Sequence, residues 1–223
     1  MRRKADKAQA TRQSILKVAR SVFTERGYAD AATDEIAEKA GVTRGALYHH
    51  FRDKKDVFAL VYEILQREIY SRILEATSAE SDVWERLIRA CHVYLDASMD
   101  PAVQRIVLLE APRVFSRRTL SELQAVTGPG LIGPGLMRMF LQELMDTGVI
   151  FRQNAWSLSI LIGGALDAAA LEIATAPDKE MWRRELGIAI DKLLHRLRIS
   201  KNEKDRGWRQ PRPKRRGKGK SLN

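Results

Sequence analysis

The chain carries a single cysteine, Cys91, in 223 residues, so no disulfide can close within it and the usage agrees with a reducing compartment. Cys91 stands beside His92, but helix neighbours point ~100° apart and there is no second Cys-His pair, which excludes a metal site there. Aromatic residues are scarce at 7% against 44% hydrophobic overall; the core must come mainly from Leu, Ile, Val and Ala, a mix that favours packed helices. Long apolar runs are missing too. The longest uncharged stretches, such as residues 153–166, fall short of the ~18 apolar residues that a membrane span needs. The basic start Arg2-Arg3-Lys4 leads to Asp6, Lys7, Gln9 and Arg12 rather than an apolar segment, so no signal peptide is read and a cytoplasmic protein is expected. Convincing strand pairs and internal repeats are lacking. There is no Gly-rich phosphate loop with its lysine, no nucleophile elbow and no paired metal ligands, so neither an enzyme nor a cofactor is expected.

What is present is positive charge, unevenly spread. Of the net +11, residues 1–56 hold 13 basic and 8 acidic side chains, residues 57–195 hold 14 and 18, and residues 196–223 hold 12 and 2. A mildly acidic middle between two basic ends suits a protein whose central body does not meet phosphate.

The spacing predicts helices almost throughout. Ile15, Ala19, Val22 and Phe23 form one apolar stripe on a helix over 9–26 that stops at Gly27. Thr33 reads as the N-cap of a second helix with Asp34 and Glu35 in its first turn; Gly41 ends it. Thr43 caps a short third helix to about His50, and a long helix follows over 53–74. Further on come helices over 83–99, from Pro101 until the chain yields near Pro112, over 136–146 ending at Gly148, and over 155–175 and 179–199. The Gly-Pro-Gly triplets at 128–130 and 133–135 mark a loop. The fold class is therefore all-α: an N-terminal three-helix domain over 1–55 containing a helix-turn-helix, a larger helical domain over 56–199, and a basic tail over 200–223 too polar to offset ordering entropy.

Residues 33–52, TDEIAEKAGVTRGALYHHFR, meet the requirements of two short helices crossing at a tight turn. Ala37 is small where the helices approach, Gly41 supports a left-handed turn, and Ile36, Val42, Leu47 and Phe51 supply the apolar contacts. Arg44, Gly45 and Ala46 begin the third helix, the end that enters a major groove in such modules. Tyr48, His49 and His50 lie along it.

The stretches TRQSIL, FTERGY, DEIAEKAGVTRGALYHHF and DKKDVF, in this order and spacing over the first quarter of the chain, resemble the DNA-binding domain of the TetR family of transcriptional regulators. The resemblance implies Arg44 as base reader, Gly45 as a point of close backbone approach, Ala46 against a thymine methyl, and Thr33, Thr43, Tyr48, His50 and Lys54 on phosphate. His49 fits either role. The plainer reading is that Tyr48 and the two histidines simply cover the module's surface.

The same resemblance implies that the helices after this domain enclose a small-molecule pocket and that the last two build a homodimer interface. Gly163, Gly164 and Ala165 would allow close helix approach, and Trp182, Leu186, Ala189, Leu193 and Leu197 share an apolar face. Ordinary packing within one chain would use such a face equally well. A dimer would set two recognition helices ~34–36 Å apart on a palindrome-like, double-stranded operator. For the pocket, the polar candidates on or beside apolar helices are His92, Glu110, Arg113, Asp167 and Glu172, each of which is alternatively a structural or exposed group. The expected function is a repressor released from its operator by a small-molecule effector. The alternatives are a ligand-responsive activator, or a general DNA-coating protein in which the basic tail is the main binder.

Overall fold

The apolar stripe of the first helix is fully buried: Ile15, Ala19, Val22 and Phe23 expose no surface. In the computed structural model, which describes residues 2–127 and 135–199, these side chains face α2 (Thr33–Lys39) and α4 (Lys54–Thr77) from α1 (Arg2–Asp30). α1 does not stop at Gly27. The backbone breaks there (φ 77°, ψ −179°) and then adds one more turn to Asp30. Only glycine enters that region without strain.

The turn between α2 and α3 (Arg44–His50) is built as its sequence requires. Gly41 takes φ 69°, and Val42 N–H reaches back to the Ala37 carbonyl at 3.0 Å, satisfying carbonyls that the end of α2 leaves open. Ile36, Ala37, Leu47 and Phe51 are buried, and Val42 packs beside them. Thr43 caps α3, its Oγ1 accepting from Ala46 N–H at 3.1 Å. Thr33 is not a cap. The N-cap of α2 is Ala32, without a side-chain bond, and Thr33 is its first helical residue because its hydroxyl is turned across to Tyr48 (3.1 Å) instead.

α4 runs through the expected domain boundary at residue 55. Its first turns, Val57, Phe58 and Val61, are buried toward α1, where Phe58 meets Phe23 edge-on with centroids 5.0 Å apart. Its later turns, Leu65, Ile69 and Ile73, are buried toward the body, where α4 packs on α5 (Val83–Ala97). Burying each of these large apolar side chains contributes about 1.5–3 kcal/mol.

The next segment departs from expectation. The helix that opens at Pro101 continues through Pro112 as a π-helical stretch, Val103–Glu110, followed by α6 (Ala111–Val114). Ala111 N–H bonds the Ile106 carbonyl, five residues back. Pro112 has no N–H to give, so the wider register carries the chain past it without a helical break. α7 (Arg117–Thr127) then forms where no helix was expected, while most of the Gly-Pro-Gly loop lies outside the described residues, as does the basic tail.

α8 (Leu136–Asp146), α9 (Ala155–Thr175) and α10 (Lys179–His195) complete the body. α9 packs against α8, α10, α5 and the π segment. It is the one described helix long and apolar enough to cross a membrane, yet half of its apolar window is buried in this packing. α10 ends four residues earlier than expected because the chain turns back: Ile199 N–H bonds the Val149 carbonyl at 3.0 Å, Ile150 and Arg198 form an antiparallel bridge, and Arg198 lies over the Trp84 ring.

A side chain at Gly27 would need a positive φ and would meet Arg105 Nη2 and Glu110 Oε1. Gly27→Ala is therefore expected to cost more than ~1 kcal/mol of stability, read from the urea midpoint; an unchanged midpoint would refute this role for the glycine.

Candidate nucleic-acid interface and ligand cavity

The outer face of the helix-turn-helix carries a polar cluster. Arg44 Nη1 pairs with Asp34 at 3.1 Å, the two side chains being 65% and 64% exposed. The Arg44 guanidinium also lies 5.6 Å from the centre of the Tyr48 ring, and Tyr48 is 39% exposed. An exposed pair of this kind is worth ~0–1 kcal/mol, so Asp34 orients Arg44 without committing it. Gly45 and His49 are exposed, while Ala46, Thr33 and His50 are half-buried. A Cβ built on Gly45 would have only Thr43 Oγ1 near it among the described residues, at 3.9 Å; packing within the protein does not require a glycine there. Behind this face, Lys39 and Arg26 hold the Glu35 carboxyl below its ordinary pKa, tying α2 to α1.

Lys54 does not join that face. Its ammonium donates to the carbonyls of Tyr28 (2.8 Å), Ala29 (3.1 Å) and Ala31 (3.1 Å) and sits 4.7 Å from the centre of the Tyr28 ring. All three of its donors are spent closing the C-terminal end of α1. The ammonium that the resemblance put on phosphate is held here by these three carbonyls. Residues more than twenty apart in the chain create this cap, and no local pattern announces it.

In the body, a cavity of about 250 Å³ opens between α4, α5, the π segment, α7 and α9. Of the five polar residues expected to line a pocket, Asp167 does and the others do not. His92 bridges α5 to α10. Arg183 Nη2 donates to its Nδ1 at 3.2 Å, so the ring proton sits on Nε2 and is given to Asp191 at 2.8 Å. Glu110 pairs with Arg105 at 3.2 Å, and Arg113 and Glu172 point to solvent. The sequence reading missed Tyr62, Gln66, Tyr94 and Gln124, which do line the cavity. Gln66 and Gln124 both donate to the Tyr62 hydroxyl, at 2.8 and 3.3 Å. A signal existed: Tyr62, Gln66, Ile69 and Ile73 fall on one face of α4, so polar groups interrupt a face that is otherwise apolar.

Asp167 accepts from the Tyr94 hydroxyl at 2.9 Å. Burial pushes its carboxyl above the ordinary range, against the effect of that bond. Tyr94 is pushed up as well, first by burial and then by the facing charge of Asp167. Asp167 is nonetheless exposed to solvent.

Residues 15–61 match the family model described as bacterial regulatory proteins, tetR family, and residues 84–197 match a Tetracyclin repressor-like, C-terminal domain. The chain belongs to the TetR family. It is a DNA-binding transcriptional regulator with an N-terminal helix-turn-helix and a helical C-terminal domain. Among its relatives, the Transposon Tn10 TetC protein of Escherichia coli is 33% identical over 158 residues, covering 69% of this chain and 80% of that protein. The HTH-type transcriptional regulator AcrR of Shigella flexneri is 45% identical over 74 residues, 33% of this chain and 34% of that regulator, so this match spans only about a third of either protein. The structure of a TetR-family transcriptional regulator from Pectobacterium atrosepticum is 33% identical, covers 87% of this chain and 97% of that one, and superposes with a TM-score of 0.72.

In this TetR-family chain the Lys54 cap has a measurable consequence. Lys54→Met keeps the aliphatic stem and removes the donors; it is expected to cost ~1.5–3 kcal/mol in urea denaturation. A stable variant whose operator binding shows a shallower salt dependence would instead return Lys54 to the phosphate-binding set.

Proposed function

We propose that this regulator represses transcription as a homodimer on a palindrome-like operator and leaves the DNA when a small molecule fills the cavity. One observation carries the reading: the cavity wall and the DNA-binding helices share a clip. Val107 and Leu108 of the π segment line the cavity, and Arg105 of the same segment donates to the Arg26 carbonyl at 3.2 Å, against the glycine break in α1. A ligand that pushes on the π segment therefore pulls on the helix that carries α2 and α3. The ligand must bind better to the DNA-free arrangement, and a coupling of ~1–3 kcal/mol is typical of such linkage. Regulators of the same fold are known with small molecules: Bacillus subtilis FadR in complex with stearoyl-CoA, and RolR with resorcinol.

On the DNA side, Arg44 reads a base, Gly45 admits the backbone close to the duplex, and Ala46 meets a thymine methyl. Thr43 keeps its hydroxyl proton for phosphate, because its capping bond uses the oxygen as acceptor. Of the two hydroxyl protons in the Thr33–Tyr48 pair, one makes their mutual bond and one remains to donate to phosphate. His50 completes the phosphate contacts, with His49 at the edge of the groove. Working on chromosomal operators places the protein in the cytoplasm.

The dimer face is redrawn by the packing. Trp182, Leu186 and Leu197 pack on the chain's own core, whereas Ile188 and Leu193 of α10 face outward with Ile160 (54%), Leu161 (70%) and Leu171 of α9. Ile160, Gly164, Ala168 and Leu171 form one stripe along α9, and Gly164 has open space where a Cβ would stand. Exposed apolar side chains continuous over two helices, with a small residue between them, fit an isologous contact with a second copy.

Two measurements test this. Selection of bound genomic fragments should return a palindrome-like site, and Arg44→Ala should relax preference at one base pair of each half-site by ~1–3 kcal/mol; unaltered preference removes Arg44 as reader. Leu161→Glu should give a monomer in light scattering with operator affinity lost, since each half-site then binds alone; a persisting dimer removes the α9–α10 face.

A further inference from the structure

The described lining of the cavity holds a carboxylate and no counter-charge. Among the described residues its lining includes Asp167 but no lysine, arginine or histidine, and Asp167 forms no ion pair, only the hydrogen bond from Tyr94. Asp167 is exposed to solvent, so water meets its carboxylate when the cavity is empty, and it is the one charged side chain in the described lining. The rest of the wall suits a cation as well. Tyr62, Tyr70 and Tyr94 bring three aromatic rings to the same space, and the face of such a ring attracts an ammonium. Ile69, Ile73 and Leu108 supply the apolar remainder.

Size narrows the choice further. About 250 Å³ lies just under the ~300–1,000 Å³ of sites for drug-sized ligands, enough for one or two rings and too little for a long acyl chain. An anion would set a second negative charge against Asp167, with no basic group in the described lining to hold either. A neutral molecule would displace water from the carboxylate without supplying a counter-charge.

We propose that the effector of this regulator is a compact organic cation, an aryl-alkyl amine whose ammonium pairs with Asp167 and whose ring lies among the tyrosines. This rests on the cavity being the effector site. The same geometry assigns Asp167 as the residue that selects ligand charge.

Three probes of nearly equal shape separate the possibilities: phenethylamine, 2-phenylethanol and 3-phenylpropanoate, titrated calorimetrically into the full chain at neutral pH, with release of the selected operator followed in parallel. The amine should bind roughly tenfold or more tighter than the alcohol, the acid should not bind, and only the amine should release DNA. Asp167→Asn keeps an acceptor for the Tyr94 hydroxyl and should abolish the preference, while Asp167→Glu should retain it. If the alcohol or the acid binds as well as the amine, or if the preference survives in Asp167→Asn, the assignment of a cation is wrong. Failure of all three probes to bind at millimolar concentration overturns it too. Release of DNA by the alcohol or acid would leave the effector reading standing while removing the charge class. Amine binding through Asp167 with unchanged operator affinity would keep the cation site and remove the effector role.

Discussion

Phe58 is held on three sides, edge-on to Phe23 and Tyr28 with centroids 5.0 Å away in each case, and against Phe115 at 5.8 Å. Each ring comes from a different part of the chain: α1, the turn after its glycine break, the start of α4, and the end of α6. Burial of this cluster fixes the angle at which the DNA-binding helices stand on the body. Aromatic pairs of this geometry add ~0.5–1.5 kcal/mol beyond their buried area, and the contact is too extensive to let one part tilt without the other. The operator-facing helices and the cavity therefore belong to one packed unit, with α4 running through both.

Within that unit, α2 and α3 have seven residues each, too few for stability on their own. They persist because Ile36, Ala37, Leu47 and Phe51 are buried in the core, with α2 packed on α1 and on α3, and because Gly41 and Thr43 satisfy the open backbone groups between them. Lys54 does the same for the end of α1. A cation at a helix C-terminus meets both the open carbonyls and the negative end of the helix dipole, so this lysine is a structural rivet beside the DNA-binding face. Arg44 is freer, held by the Tyr48 ring and by an exposed carboxylate that a base edge can replace.

The body solves a different problem. A cavity must be kept open in an otherwise close-packed interior, and the π segment does this by widening the helix just where Leu108 and Pro112 form the wall. The same widening sets Arg105 against the glycine break in α1 and joins the cavity to the DNA-binding helices. Wherever the described wall is polar, it is acidic or neutral, consistent with a body whose charge balance over residues 57–195 is negative.

Local chemistry was legible in the sequence. The buried stripe of α1, the helix-turn-helix with its glycine turn and Thr43 cap, the exposed Arg44 at the start of α3, and the limits of α9 all follow from spacing, capping and backbone preference, which act over a few residues and leave their mark there. Decisions that depend on what packs against what were not legible. Apolar residues on two sides of α10 do not say which side faces inward, so the outward face included Ile188 and lost Trp182, Leu186 and Leu197. His92 and Glu110 resemble ligand groups until Asp191, Arg183 and Arg105 come to meet them. Lys54 resembles a phosphate contact until three carbonyls from the other end of the domain take its donors. In each case the partner lies far away in the chain, and only the fold brings it within bonding distance.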